Sequence, residues 1–172
     1  MYAPMAIVLS LLLVLLISYL AKSSVCVILP HEVGLLEQMG KFKRVLGPGL
    51  NLVPPLISRV IKMDLRTIPL DVPDQEIVTK DKQRVRVGAV IHVRVVDPIK
   101  AYYEIEDYRR AIIYMVQTLL RALLGGMDLD EISSRARINN HLRDILNEAV
   151  DRWGIRVETV ETRMAFPFGA DK

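Results

Sequence analysis

Three histidines, one cysteine and a few neighbouring acid–base pairs are the residues of this chain whose types could do chemistry. His31, His92 and His141 fall in three different stretches, none with a Cys or second His at the spacing a zinc site needs, so no metal site is expected. Cys26 is the only cysteine, which rules out an intramolecular disulfide. Its setting, Val25-Cys26-Val27-Ile28-Leu29, suits a buried thiol, and acylation beside a membrane is the sharper alternative. Asp64 with Arg66 and Lys80 with Asp81 could act as acid–base pairs, yet such neighbours are more often surface ion pairs or turn residues. Catalysis needs groups that converge in a pocket, and no such convergence is visible. Nor is there a G-x-S-x-G, a Walker A loop, a G-x-G-x-x-G or an H-E-x-x-H. No catalytic residue and no cofactor is expected, and the chain reads as a non-enzyme.

The most suggestive polar feature is a stripe, Arg84, Arg86, His92 and Arg94, within RVRVGAVIHVRVV. It could face an acidic neighbouring subunit or anionic lipid headgroups, against the plainer reading of a solvated sheet face. The element that carries it is the clearest strand of the chain. Val85, Val87, Ala89, Ile91, Val93 and Val95 take one face and the stripe takes the other, a period of two sustained from Arg84 to Val96.

Before this strand come short strand-like runs punctuated by turns. Val25–Leu29 precedes Pro30-His31-Glu32, Val33–Met39 ends at Gly40, and Gly47-Pro48-Gly49 is a strong turn signal. Pro69 and Pro73 confine their segment to an edge or an irregular strand. After Asp97-Pro98 the period changes to about 3.6. Asp107 caps a helix through Leu124 that Gly125-Gly126 ends, and Asp128–Ile132 makes a short turn of helix. Ser133 or Ser134 starts another helix, with Ile138, Leu142, Ile145, Leu146, Ala149 and Trp153 on its apolar face and Gly154 as its stop. Ile155–Met164 is a last strand whose apolar positions slip from Ile155 and Val157 to Val160, the mark of a bulge. The expected fold is α+β, with helices packed on one face of a mainly antiparallel sheet over residues 23–164 and an unstructured tail at 165–172.

Ahead of all this stands Tyr2–Ala21, twenty residues without a charge. A helix of that length spans the roughly 30 Å hydrocarbon core of a bilayer. Ile7, Val8, Leu11, Leu12, Leu13, Val14, Leu15, Leu16 and Ile17 are its lipid-facing centre, so residues 1–22 are expected to be a transmembrane anchor. A cleaved signal peptide would want a basic start and a shorter apolar core, and an intramembrane hairpin would want a central Pro or Gly. Lys22, Lys41, Lys43 and Arg44 follow the anchor and nothing basic precedes it, which places the single-pass protein's following domain on the cytoplasmic side. With 23 basic against 20 acidic residues and no run of like charges, the surface is mixed and nucleic acid is not an expected partner.

A series of short motifs then resembles a known family. Gly47-Pro48-Gly49-Leu50 with Pro54-Pro55, Asp64-Leu65-Arg66-Thr67, Asp71-Val72-Pro73-Asp74-Gln75-Glu76 and Thr79-Lys80-Asp81 come first. Asp97-Pro98 with Ala101-Tyr102, Gln117-Thr118-Leu119-Leu120-Arg121, and Gly125-Gly126-Met127-Asp128-Leu129-Asp130-Glu131 follow. Trp153-Gly154-Ile155-Arg156-Val157 and Val160-Glu161 complete the series. In this order and spacing they resemble the stomatin/prohibitin/flotillin/HflK-C (SPFH, band 7) superfamily, and within it the stomatin and paraslipin type. The resemblance implies a membrane-anchored, non-enzymatic scaffold that forms homo-oligomers and organises membrane microdomains. It also implies integral partners, such as an ion channel, a membrane protease or an NfeD-type membrane protein. Such relatives usually continue into a long Ala/Glu/Arg-rich coiled coil, whereas Ala165–Lys172 shows no sustained heptad. Smaller oligomers are therefore expected over closed cages, with a monomeric tethered adaptor as the alternative.

Overall fold

The computed structural model describes residues 10–15, 18, 22, 24–132 and 134–165. The chain divides into two compact units, Met1–Leu65 and Arg66–Lys172. Most of the predicted anchor lies outside the described residues, and among those described no helix is long and apolar enough to cross a membrane.

The first unit is built from β1 (Val25–Ile28), β2 (Glu32–Gln38), β3 (Lys41–Leu46), β4 (Gly49–Leu52) and β5 (Ser58–Asp64). The strands β3-β2-β5 form one antiparallel sheet, and β1 pairs with β4 in a separate two-stranded ribbon. Alternation along the ribbon sends Ile28 inward to a small core with Leu36, Leu46 and Val53, against which Cys26 and Val60 pack. The hairpin between β2 and β3 turns on two residues, Met39 (φ 51°) and Gly40 (φ 75°). Such a turn needs positive φ at both positions to match the strand twist, a conformation suited to glycine or asparagine and costly for methionine.

The second unit carries β6 (Ile68–Val78), β7 (Arg84–Val95) and β8 (Ile155–Ala165), paired antiparallel in the order β6-β7-β8. Between β7 and β8 come α1 (Pro98–Tyr103), α2 (Tyr108–Gly125), α3 (Leu129–Ile132), α4 (Arg135–Val150) and a 3-10 turn, Asp151–Trp153. All six odd-numbered apolar residues from Val85 to Val95 are buried. Two helices cover that face, each with a stripe at four-residue spacing. Ile112, Val116, Leu120 and Leu124 line α2, which packs on β6, while Ile138, Leu142, Leu146 and Val150 line α4, which packs on β8. The Asp97 carboxylate accepts from the Ile99 and Lys100 amides at 3.0 and 3.2 Å, and Asp107 accepts from Arg110 N at 3.1 Å. Each caps a helix start, as expected of these residue types.

Two details correct the sequence-based picture. The antiparallel strands form three sheets, not one, because periodicity reports which face of a strand is buried but not which strands are neighbours. Trp153 is not the last core position of a helix. The four-residue stripe of α4 ends on Val150, and Trp153 sits half-buried in the 3-10 turn beneath the Arg152 guanidinium, 5.0 Å from its ring centre. The bulge expected in the last strand is present, with His92 opposite Thr159 and Val93 opposite Val157, so Glu158 is the extra residue. Pro73 likewise falls within a register break of the edge strand β6, between Val72 and Gln75.

Candidate membrane and partner surfaces

In the first unit, the strands leave a row of large apolar side chains in the open. Val25 stands directly opposite Leu52 and Val27 opposite Leu50 on the outer face of the β1–β4 ribbon. Leu50 is 79% and Leu52 74% exposed. From Leu52 the chain passes through Val53, whose amide donates to Ser24 O at 2.8 Å, and then through Pro54-Pro55 to Leu56 and Ile57. The Met39 amide donates to Ile57 O at 3.0 Å, which joins the β2–β3 hairpin tip to the same end. Met39 is 82% and Leu56 84% exposed. Leu52, Leu56, Ile57 and Met39 thus share one rim with Ser24, the residue at which the chain arrives from the apolar stretch before it.

Exposed apolar residues of this size, clustered on one rim, mark a surface that ordinarily meets lipid or protein. Charge points the same way. Residues 1–65 hold six basic and three acidic side chains, while residues 66–172 hold seventeen of each, so the net +3 of the chain belongs to the first unit. Lys41, paired with Gln38 beside the hairpin tip, and Lys43 and Arg44 further along β3 are exposed. Of the anchor residues expected from sequence, Leu11, Leu12, Leu13, Val14 and Leu15 are helical and exposed, and Ile7, Val8, Leu16 and Ile17 lie outside the described residues.

The predicted stripe of the second unit lies along one strand face. Arg84, Arg86, His92 and Arg94 all lie on the face of β7 away from α2 and α4, at distances that tie most of them to neighbouring strands. Arg84 reaches Glu76 at 3.4 Å, Arg94 reaches Glu158 at 3.3 Å, and His92 Nδ1 lies 2.9 Å from Thr159 Oγ1. Arg163 of β8 pairs with Asp71 at 2.7 Å. The Asp74 carboxylate folds over Gly88, where a Cβ would lie only 2.0 Å from Asp74 Oδ1. The stripe is therefore part of a mixed-charge face in which carboxylates of β6 and β8 flank the cations of β7, a pattern that single-strand periodicity could not reveal. Arg86 has no ion pair among the described residues.

Sequence reasoning missed the apolar rim. Its signal was available in the Met39-Gly40 turn, where a methionine occupies a position that favours asparagine or glycine, and in the equal spacing of Leu50 and Leu52.

Among the described residues no group of His, Cys, Asp and Glu is placed to hold a metal ion. Lys80 and Asp81, weighed above as an acid–base pair, sit in the hairpin joining β6 to β7. Lys80 N donates to Met127 O at 3.1 Å, and the Thr79 hydroxyl bonds the Asp81 carboxylate, which lowers the pKa of Asp81 below its ordinary value. That is the anchoring of a turn.

The chain is thus α+β, with an exposed apolar row on its basic first unit and a mixed-charge sheet on its second. The chain belongs to the SPFH domain / Band 7 family, whose model matches residues 26–164. It is 41% identical over 163 residues to an uncharacterized protein of Methanothermobacter thermautotrophicus, covering 94% of this chain and 51% of that one. It is 38% identical to the stomatin homolog PH1511 of Pyrococcus horikoshii, covering 100% of this chain and 65% of the relative. With the mitochondrial stomatin-like protein 2 of Rattus norvegicus it shares 37% identity, covering 81% of this chain and 40% of the relative. The chain thus spans about half the length of the curated relatives it matches.

Proposed function

We propose that this protein is a membrane-attached scaffold of the stomatin type, without enzymatic activity of its own, that self-associates and holds integral membrane partners in a microdomain. The observation that carries this reading is the rim of Leu52, Leu56, Ile57 and Met39, exposed beside Ser24 on the unit that holds the chain's excess positive charge. Apolar side chains ringed by Lys and Arg suit the headgroup and acyl boundary of an anionic bilayer. In this reading residues 1–22 span the membrane once, the first unit rests on its cytoplasmic surface, and the ion-paired sheet of the second unit faces protein. An NfeD-type membrane protein, an ion channel or a membrane protease is the class of partner, and the mixed charges around Arg84, Arg86, His92 and Arg94 suit contact with another copy of the chain. Flotation of the full chain with anionic vesicles, combined with light scattering of the detergent-extracted protein, tests the proposal. Co-flotation that survives high salt, together with a mass of several chains, is expected. A monomer that stays with the aqueous fraction would overturn it.

A further inference from the structure

Met39 stands apart from the rest of the apolar rim in two independent respects. The first is its backbone. Met39 takes φ 51° in the two-residue turn between β2 and β3, a conformation that disfavours any side chain with a Cβ. The second is its exposure. Met39 is 82% exposed, whereas Met63, Met115, Met127 and Met164 are all partly buried, so it is the one open thioether among the described residues.

Its rim neighbours are chemically inert. Leu52, Leu56 and Ile57 end in saturated hydrocarbon, and the chain's single thiol, Cys26, packs against the small core of Ile28, Leu36, Leu46 and Val53. The position is also tied to the others, because the Met39 amide donates to Ile57 O at 3.0 Å. A change at the hairpin tip therefore acts beside Leu56 and Ile57. A strained turn position filled by the only readily oxidised side chain of the rim breaks a local rule, and such breaks tend to mark function.

We infer that Met39 is a modification site, oxidised to the sulfoxide by a small peroxide, and that this loosens the rim from the bilayer. The inference rests on the membrane reading proposed above. In the step a sulfur lone pair attacks one peroxide oxygen, and the S–O bond forms as the O–O bond breaks. The departing hydroxide takes the proton left on the transferred oxygen and becomes water. Sulfur loses two electrons and the peroxide gains them. The product carries a strong S–O dipole that accepts hydrogen bonds, which suits water and not the acyl boundary. The backbone bond to Ile57 is untouched, so the first unit keeps its fold.

The test uses the full chain with Cys26→Ser and Leu56→Cys, carrying a disulfide-linked nitroxide at position 56. It is placed in nanodiscs of equal parts phosphatidylcholine and phosphatidylserine and treated with dilute hydrogen peroxide. Peptide mass mapping should find an added oxygen on Met39 before Met63, Met115, Met127 or Met164. Relaxation of the label by a water-soluble nickel chelate should then rise about tenfold, the factor expected when one buried Met side chain no longer holds the rim. Met39→Leu should stay seated after the same treatment, and Met39→Gln should be raised without it. A label open to the chelate before any peroxide would overturn the membrane reading and this inference with it. A label shielded at first, and still shielded once Met39 carries its oxygen, would overturn the inference alone. Oxidation of the partly buried methionines ahead of Met39 would do the same.

Discussion

The two units of this chain solve the same problem, burying one face of a sheet, with opposite degrees of completeness. The second closes every apolar stripe: the odd-numbered face of β7 meets the four-residue stripes of α2 and α4, and none of those positions is exposed. The outer edge of β8 is blocked at two positions as well. Asn147 both donates to Val157 O at 3.1 Å and accepts from Val157 N at 2.8 Å, and Asn139 accepts from Thr162 N and Oγ1. These side chains hold backbone groups that another strand could otherwise pair with. The first unit has no helix covering its strands among the described residues, and it leaves Leu50, Leu52, Leu56 and Met39 in the open. Outside those stripes the second unit exposes Val78, Val96, Tyr103 and Tyr114, but the face of its sheet beneath the helices is covered. Openness belongs to a body completed by something else.

Substitutions can break this contrast. The largest effect is expected in the closed unit, where Leu142→Ala should lower the unfolding free energy by about 3 kcal/mol. Leu56→Ala should change it by less than about 0.5 kcal/mol, because nothing packs there to be lost. Urea denaturation of the two variants checks the difference. Gly154→Ala comes next. Gly154 adopts φ 66°, and a Cβ there would lie 2.5 Å from Asp97 O, so a loss of about 2–3 kcal/mol is expected. Asn147→Ala leaves both polar groups of Val157 without their partner and should cost about 2 kcal/mol, seen also as faster amide exchange at Val157. Met39→Asn should act in the opposite direction. Asparagine tolerates positive φ, so the hairpin should gain about 0.5–1 kcal/mol in thermal unfolding, while vesicle binding weakens through loss of an apolar tip.

The smallest effect concerns acid. The Thr79 hydroxyl bond lowers the pKa of Asp81 from its ordinary 3.8, and a depressed carboxylate pKa adds stability that is present above the unfolded pKa and lost as pH falls through the folded one. Asp81→Asn should therefore lower stability slightly at neutral pH and flatten its fall below about pH 4, so that variant and wild type converge in acid. Acid titration followed by circular dichroism would read it.

Much of the closed unit was legible in the sequence, because its signals are periodic. The alternation of Val85 to Val95 named its buried face, Asp97 and Asp107 marked helix starts, and the slip at Val160 disclosed the bulge at Glu158. Trp153 misled for a physical reason. It lies three residues after Val150 and matches a helical period, but the chain has tightened into a 3-10 turn by then, so the ring lands half outside. Trp153→Ala should accordingly cost less than a fully buried Trp would. The apolar rim was not legible, because it is assembled by cross-strand register and by a loop meeting a hairpin. Val25 with Leu52, and Met39 with Ile57, are far apart in sequence and become neighbours only in the folded unit.

The most direct test of the account measures depth. In a Cys26→Ser background, spin labels at Leu56→Cys in the first unit and Tyr114→Cys on the exposed face of α2 would be compared in nanodiscs containing anionic lipid. The label at position 56 should be relaxed by oxygen and shielded from a water-soluble nickel chelate, while the label at position 114 should show the reverse. Equal exposure of both labels to the chelate would contradict it, and would mean that the open rim of the first unit faces something other than the bilayer.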